Sequence, residues 1–206
     1  MWSLSLITAP AAEPLDVETD VRPHLRLTAD EAAAQMSLLL GAIEGARQEC
    51  ETFTQRQLIT TTWELWLESW MEPGIYDCES GGLRLPLPPL QSLTDIKYID
   101  LSGAEQTLSS SLYTLSKPAG PQAGRAIVFP AYGAVWPSVL CRPAAIKVKF
   151  VAGYGASAAA VPARLKQGML LCVGEAYERR EFVTPGHILP SNPVSAERCF
   201  WPFRAF

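Results

Sequence analysis

The hydrophobic period of this chain changes near residue 60, and a chain that carries two periods in long blocks must build two kinds of structure. Before the change, Thr28-Ala29-Asp30-Glu31 opens a helix: Thr28 caps the Glu31 amide and Glu31 reaches back, a capping box with acid near the positive helix end. Apolar residues then recur at Ala32, Met36, Leu39, Leu40, Ile43, Ala46, Cys50 and Phe53, one buried face through about seven turns. The other face, with Gln35, Glu44, Arg47, Gln48 and Glu51, is solvated or lies at a subunit contact. From Thr60 the period is two. Thr62, Glu64, Trp66, Glu68 and Trp70 alternate with Trp63, Leu65, Leu67 and Ser69, and tryptophan on both faces predicts that both are partly covered.

Further strands are predicted at Gly82–Leu85, Leu93–Leu101, Gln106–Leu115, Arg125–Phe129 and Ala145–Val151, with Gly/Pro turn signals between them. Such spacing points to a compact antiparallel sheet or sandwich. The prolines of Arg84-Leu85-Pro86-Leu87-Pro88-Pro89-Leu90 shape an edge or crossover. After the turn Gly153-Tyr154-Gly155 the helical period returns from Pro162 to Arg180, with Leu165, Met169, Cys172, Val173 and Ala176 on its apolar face. Gly168 and Gly174 lower that helix's intrinsic stability or allow close packing against another helix. The order is helices, strands, helix: an α+β fold in which a β-rich region is inserted into a helical core.

The ends are unusual. Ile7 to Pro14 reads as an extended arm or linker, followed by a short helix from Asp16 to Leu25 with Asp16 as cap and a kink or early end at Pro23. Beyond Glu181 the chain is irregular, with one more helical turn at Ser195 to Phe200. Four of the last seven residues are aromatic, Phe200, Trp201, Phe203 and Phe206. A terminus this apolar either folds back or is received by another protein, because each buried aromatic is worth roughly 1.5–3 kcal/mol. The expected organisation is therefore an arm and helices over 1–59, a β-rich insertion over 60–152, a helix completing the helical core over 153–181, and an extended aromatic tail over 182–206.

Composition narrows the function. Hydrophobic residues make up 48% of the 206 and charged ones 18%, which fits a folded chain, and a net charge of −4 provides no basic footprint for gripping DNA. Five scattered cysteines (Cys50, Cys78, Cys141, Cys172, Cys199) without a Cys-x-x-Cys pair predict buried free thiols and synthesis in a reducing compartment. No stretch is long and apolar enough to span a membrane. His24 and His187 are the only histidines and neither has a partner motif, so no catalytic, metal or cofactor residue is predicted. Asp95, Asp100 and Glu105 are expected to solvate strand edges and turns. A rival reading makes the β region a hydrolase-like or carbohydrate-binding sandwich with Trp63, Trp66, Trp70 and Trp136 as a sugar platform.

Several segments, in order, resemble the head–tail connector, or adaptor, family of long-tailed bacteriophages and gene transfer agents. They are Thr8-Ala9-Pro10, Val21-Arg22-Pro23-His24-Leu25-Arg26-Leu27, Phe53-Thr54-Gln55-Arg56-Gln57-Leu58-Ile59, Thr61-Thr62-Trp63-Glu64-Leu65 and Leu85 to Leu93. Tyr132-Gly133-Ala134-Val135-Trp136-Pro137, Val148 to Gly155, and the ending Glu197-Arg198 through Trp201-Pro202-Phe203-Arg204 complete the series. One departure is Gln55, where the family often has glycine. The resemblance implies a non-enzymatic structural protein without cofactor, in the neck of a virion or gene-transfer-agent particle and made in the bacterial cytoplasm. It implies a ring of about 12 copies on the portal protein, binding the next neck protein and passing DNA through its channel without sequence-specific contacts. It also implies a portal-binding tail made of Arg198, Phe200, Trp201, Pro202, Phe203, Arg204 and Phe206.

Overall fold

The computed structural model describes residues 2–179 and 194–205. The chain forms two compact units. One takes the chain up to Pro10 with Thr60–Gly153, and the other takes Ala11–Ile59 with Tyr154–Arg204.

The β unit holds nine strands: β1 (Ser3–Thr8), β2 (Thr61–Leu67), β3 (Tyr76–Asp77), β4 (Gly82–Arg84), β5 (Leu90–Ile99), β6 (Glu105–Thr107), β7 (Tyr113–Ser116), β8 (Ile127–Pro130) and β9 (Ile146–Ala152). They form a five-stranded sheet, β1-β2-β9-β5-β6, and a four-stranded sheet, β3-β4-β8-β7, antiparallel throughout. β9 falls where a strand was predicted and alternates completely: Ile146, Val148, Phe150 and Ala152 are buried while Lys147, Lys149 and Val151 are half-buried on the other face. Residues of both sheets share one apolar core, including Leu65, Leu83, Ile96, Val128 and Phe150. The proline-rich segment is the crossover from β4 in one sheet to β5 in the other. Ser3–Thr8 pairs with β2 as an edge strand, so the first two residues of the expected extended arm, Ile7 and Thr8, belong to the sheet.

Asp100 organises the β5–β6 turn, its Oδ1 accepting from the Ser102 amide at 2.9 Å and the Ala104 amide at 3.0 Å, its Oδ2 from the Gln106 amide group at 2.9 Å. The Ser102 hydroxyl, then Gln106, hold its carboxyl down to about 2. A lowered folded value means that the turn's carboxylate contribution is present above the unfolded carboxylate range, roughly pH 4. It is lost as the pH falls through about 2. A carbon-detected NMR titration should place the Asp100 midpoint near 2; a midpoint near the ordinary aspartate value would mean these bonds are not made.

The helical unit begins with a single π turn, Val17–Val21, whose cap Asp16 accepts from the Thr19 amide. It continues through α1 (Arg22–Leu25), α2 (Ala29–Ala34), α3 (Met36–Thr54), α4 (Ala163–Arg179) and α5 (Val194–Phe200). The Thr28–Glu31 capping box is present, with both reciprocal bonds made. The predicted continuous helix breaks at Gln35, whose ψ of 17° leaves the helical range, and the break leaves Met36 and Leu40 exposed. Leu39, Ile43, Ala46 and Cys50 face the core together with Leu165, Met169 and Val173 of α4. Arg47 is not on a solvated face: it pairs with Glu13 at 2.7 Å and with Glu51 at 3.1 Å. Ala176 of the predicted apolar face is exposed. The cysteines are free, but Cys78 and Cys141 are exposed rather than buried.

Gln55, the departure from the family pattern, ends α3 at a φ of +56°, the left-handed conformation that glycine adopts without strain. Its side chain donates to the Thr52 carbonyl at 2.8 Å and so recovers part of the cost. Gln55→Gly is expected to raise stability by about 0.5–1 kcal/mol in urea unfolding, the relief at positive φ exceeding the lost hydrogen bond and the added unfolded-state entropy.

Candidate docking site at the C-terminal end

The aromatic end folds back on the helical unit: the helical turn expected at Ser195 to Phe200 is α5, and it runs on into a 3₁₀ turn at Trp201–Phe203, where the sequence suggested extended chain. Phe200 is fully buried and Phe203 nearly so, at 0% and 6% exposure. Gly168 explains the first, since a Cβ there would overlap the Phe200 ring and lie 3.0 Å from the Cys199 Cβ. The close packing allowed by Gly168 is thus an aromatic seat. Phe53, the last apolar residue of the α3 stripe, meets the Phe200 ring at 6.0 Å and the Trp201 ring at 6.2 Å between centroids.

Two arginines fix the path of the backbone. Arg56 is 2% exposed, and its Nε donates to the Phe203 carbonyl. Arg164 donates from Nη2 to the Arg198 carbonyl at 2.9 Å. Arg56 also bonds the Tyr154 phenol, whose pKa burial pushes up and the guanidinium pulls back. These bonds leave Nη1 of Arg56 without a partner among the described residues.

What remains on the surface is a small, mixed patch. Trp201 is 59% exposed, and Pro202, Arg198 and Arg204 are exposed beside it. The Arg204 guanidinium lies 5.7 Å from the Phe53 ring centre and 5.6 Å from that of Trp201, so cation–π attraction holds it over the aromatics. An exposed indole with a guanidinium stacked on it is the residue pair that protein interfaces favour as anchors. The structure therefore divides the predicted tail: Phe200 and Phe203 belong to the chain's own core, and Arg198, Trp201, Pro202 and Arg204 face outward. Phe206 and His187 lie outside the described residues. Arg56 was missed because a lone arginine after a helix carries no sign that a carbonyl 147 positions away needs it.

No group of three or more metal-ligating side chains occurs among the described residues, and His24 is exposed on α1. The sugar platform is not supported: Trp70 is buried and stacks on Trp136 at 4.4 Å with 7° between planes, so these rings satisfy each other. No described helix is long and apolar enough to cross a membrane.

No family model and no curated protein sequence matches the chain. Solved structures do. A chain from the neck of an empty GTA particle, computed with C6 symmetry, superposes with a TM-score of 0.76 at 25% identity, covering 99% of this chain and 96% of that one. A chain of the virion of a native gene transfer agent particle has the same fold, with a TM-score of 0.76 at 24% identity over 98% and 95%. A third, from the neck of a native GTA particle computed with C12 symmetry, gives 0.70 at 21% identity over 99% and 96%. Both units are matched, and the chain has the fold of these chains from the neck and virion of gene transfer agent particles.

Proposed function

We propose that the protein is a structural head–tail connector, positioned at the neck of a gene-transfer-agent or phage-like particle, where copies form a ring that continues the DNA channel. The observation that carries this reading is the superposition of nearly the whole chain on a neck chain at a TM-score of 0.76. A net charge of −4 suits a channel through which DNA slides, since phosphate-binding cations would hold it back. Its role is assembly rather than catalysis.

The portal protein is the proposed partner of the outward patch. Trp201 supplies the apolar anchor, and Arg198 and Arg204 pair with acids of the portal. Trp201 is largely exposed, so Trp201→Ala leaves the fold intact, while loss of an interface anchor weakens binding about tenfold or more. The test is a pull-down and sizing run of intact chain, Trp201→Ala and Arg204→Ala with purified portal protein, with circular dichroism as the control for folding. Undiminished binding by both variants would move the docking site elsewhere; failure of the intact chain to bind would move the protein to another level of the neck.

A further inference from the structure

The four most exposed large hydrophobic side chains of the described chain are Tyr132 (108%), Val135 (82%), Met71 (70%) and Leu101 (69%), and all belong to the β unit. They come from three separate loops that strand register brings to one end of the five-stranded sheet. Met71 follows the end of β2, where Leu67 pairs with Ile146; Leu101 follows the end of β5, where Tyr98 pairs with the same residue. The loop with Tyr132 and Val135 is tied there by the Leu140 amide on the Ile99 carbonyl and by the Trp70 indole on the Pro137 carbonyl.

This loop end is built, not frayed. The Ala134 amide bonds the Ala131 carbonyl across a turn with Gly133 at a φ of +76°, and the stacked Trp136 and Trp70 form its base. Residues 131–141 carry no charge. Water is a poor neighbour for such a surface, and a nucleic acid or an anionic membrane finds no cation run on it.

The same unit has a second surface of like chemistry. Strand β1 pairs only with β2 among the described strands, so no described strand takes its outer edge. It carries no lysine and no other charged side chain, and Leu6 and Ile7 are half exposed on it. Residues 2–12 are uncharged as well. A cyclic ring needs two different surfaces on every copy, one for each neighbour, and they must match in chemistry. Two uncharged apolar surfaces at separate places on one unit meet that requirement.

We propose that the loop end around Tyr132 and Val135 docks on the β1 edge of a second copy, so that successive copies join head to tail through their β units. The proposal rests on the ring reading above. The exposed Cys141 at the loop end provides the probe. Chain carrying Cys78→Ser and Ile7→Cys is oxidised with copper phenanthroline, free at high concentration and bound to portal protein, and run on a denaturing gel without reductant. A ladder of dimers, trimers and higher species is expected, because each copy then has one thiol on each surface. Restoring Ile7, or adding Cys141→Ser, should abolish it. Tyr132→Ser with Val135→Ser, both at exposed positions, should weaken self-association about tenfold or more in sedimentation velocity. Oligomers or portal-bound chain without a ladder would overturn the proposal while leaving the connector reading in place. A ladder without portal binding would do the reverse, and a chain monomeric in both settings would overturn both the ring and this contact.

Discussion

Phe200→Ala is expected to lower the stability of the helical unit by about 3–5 kcal/mol, the range for removing a fully buried aromatic ring. The ring is 0% exposed and lies where Gly168 leaves room for it, so the space left by alanine is walled by helix backbone that cannot collapse inward. Its contact with Phe53 is lost as well. Urea unfolding should show the loss, and hydrogen exchange should locate it in α3 and α4, with the β strands unaffected. Trp201→Ala, one position further, should cost less than about 1 kcal/mol because that ring is mostly in water. The contrast decides what the aromatic end is: equal small effects would mean that the end is free to leave the core, whereas the expected inequality means that only the outward half is left for a partner to meet. Gly168→Leu tests the same seat from the other side, since a larger side chain must expel Phe200, and it should be destabilising by about 1–3 kcal/mol or more.

Much of this fold was legible because its signals are local. The Thr28–Glu31 capping box needs four consecutive residues, and the alternation through β2 and β9 needs only a covered face. What was not legible depends on distant partners. Ser3–Thr8 is a strand because β2 offers it an edge, and nothing in six uncharged residues before a proline-rich stretch announces which edge that is. The break at Gln35 is a backbone event inside an unbroken apolar stripe, so periodicity passes over it. Arg47 and Glu51 looked like a polar face because Glu13, the second partner of Arg47, lies on a segment without periodicity. The tail is the sharpest case. Its apolar character required burial, but composition does not say whether a ring is buried in its own chain or in another; Gly168, 32 positions upstream of Phe200, decides it.

The tryptophans of the β unit pose the same choice between core and ligand surface, and Trp70→Ala is the second change expected to have a large effect. Trp70 is 6% exposed, stacks on Trp136, meets Tyr98 at 6.3 Å and donates its indole N–H to the Pro137 carbonyl at 2.8 Å. Removing it deletes a buried ring and strands that carbonyl, for an expected loss of about 3–5 kcal/mol. Trp70→Phe keeps an aromatic face for Trp136 but not the N–H, and should cost about 1–2 kcal/mol. Both are read in urea unfolding, with near-ultraviolet circular dichroism reporting the loss of the stacked pair. The geometry also couples this stack to assembly, because Trp136 is the base on which Val135 stands and the Pro137 bond closes the loop over β2. Trp70→Phe should therefore leave the β sheets formed yet loosen residues 131–141 and weaken self-association, a combination that a merely structural core residue far from the contact would not produce. If Trp70→Phe lost stability but associated at full strength, the stack would be core alone, and the loop end would hold its shape without it.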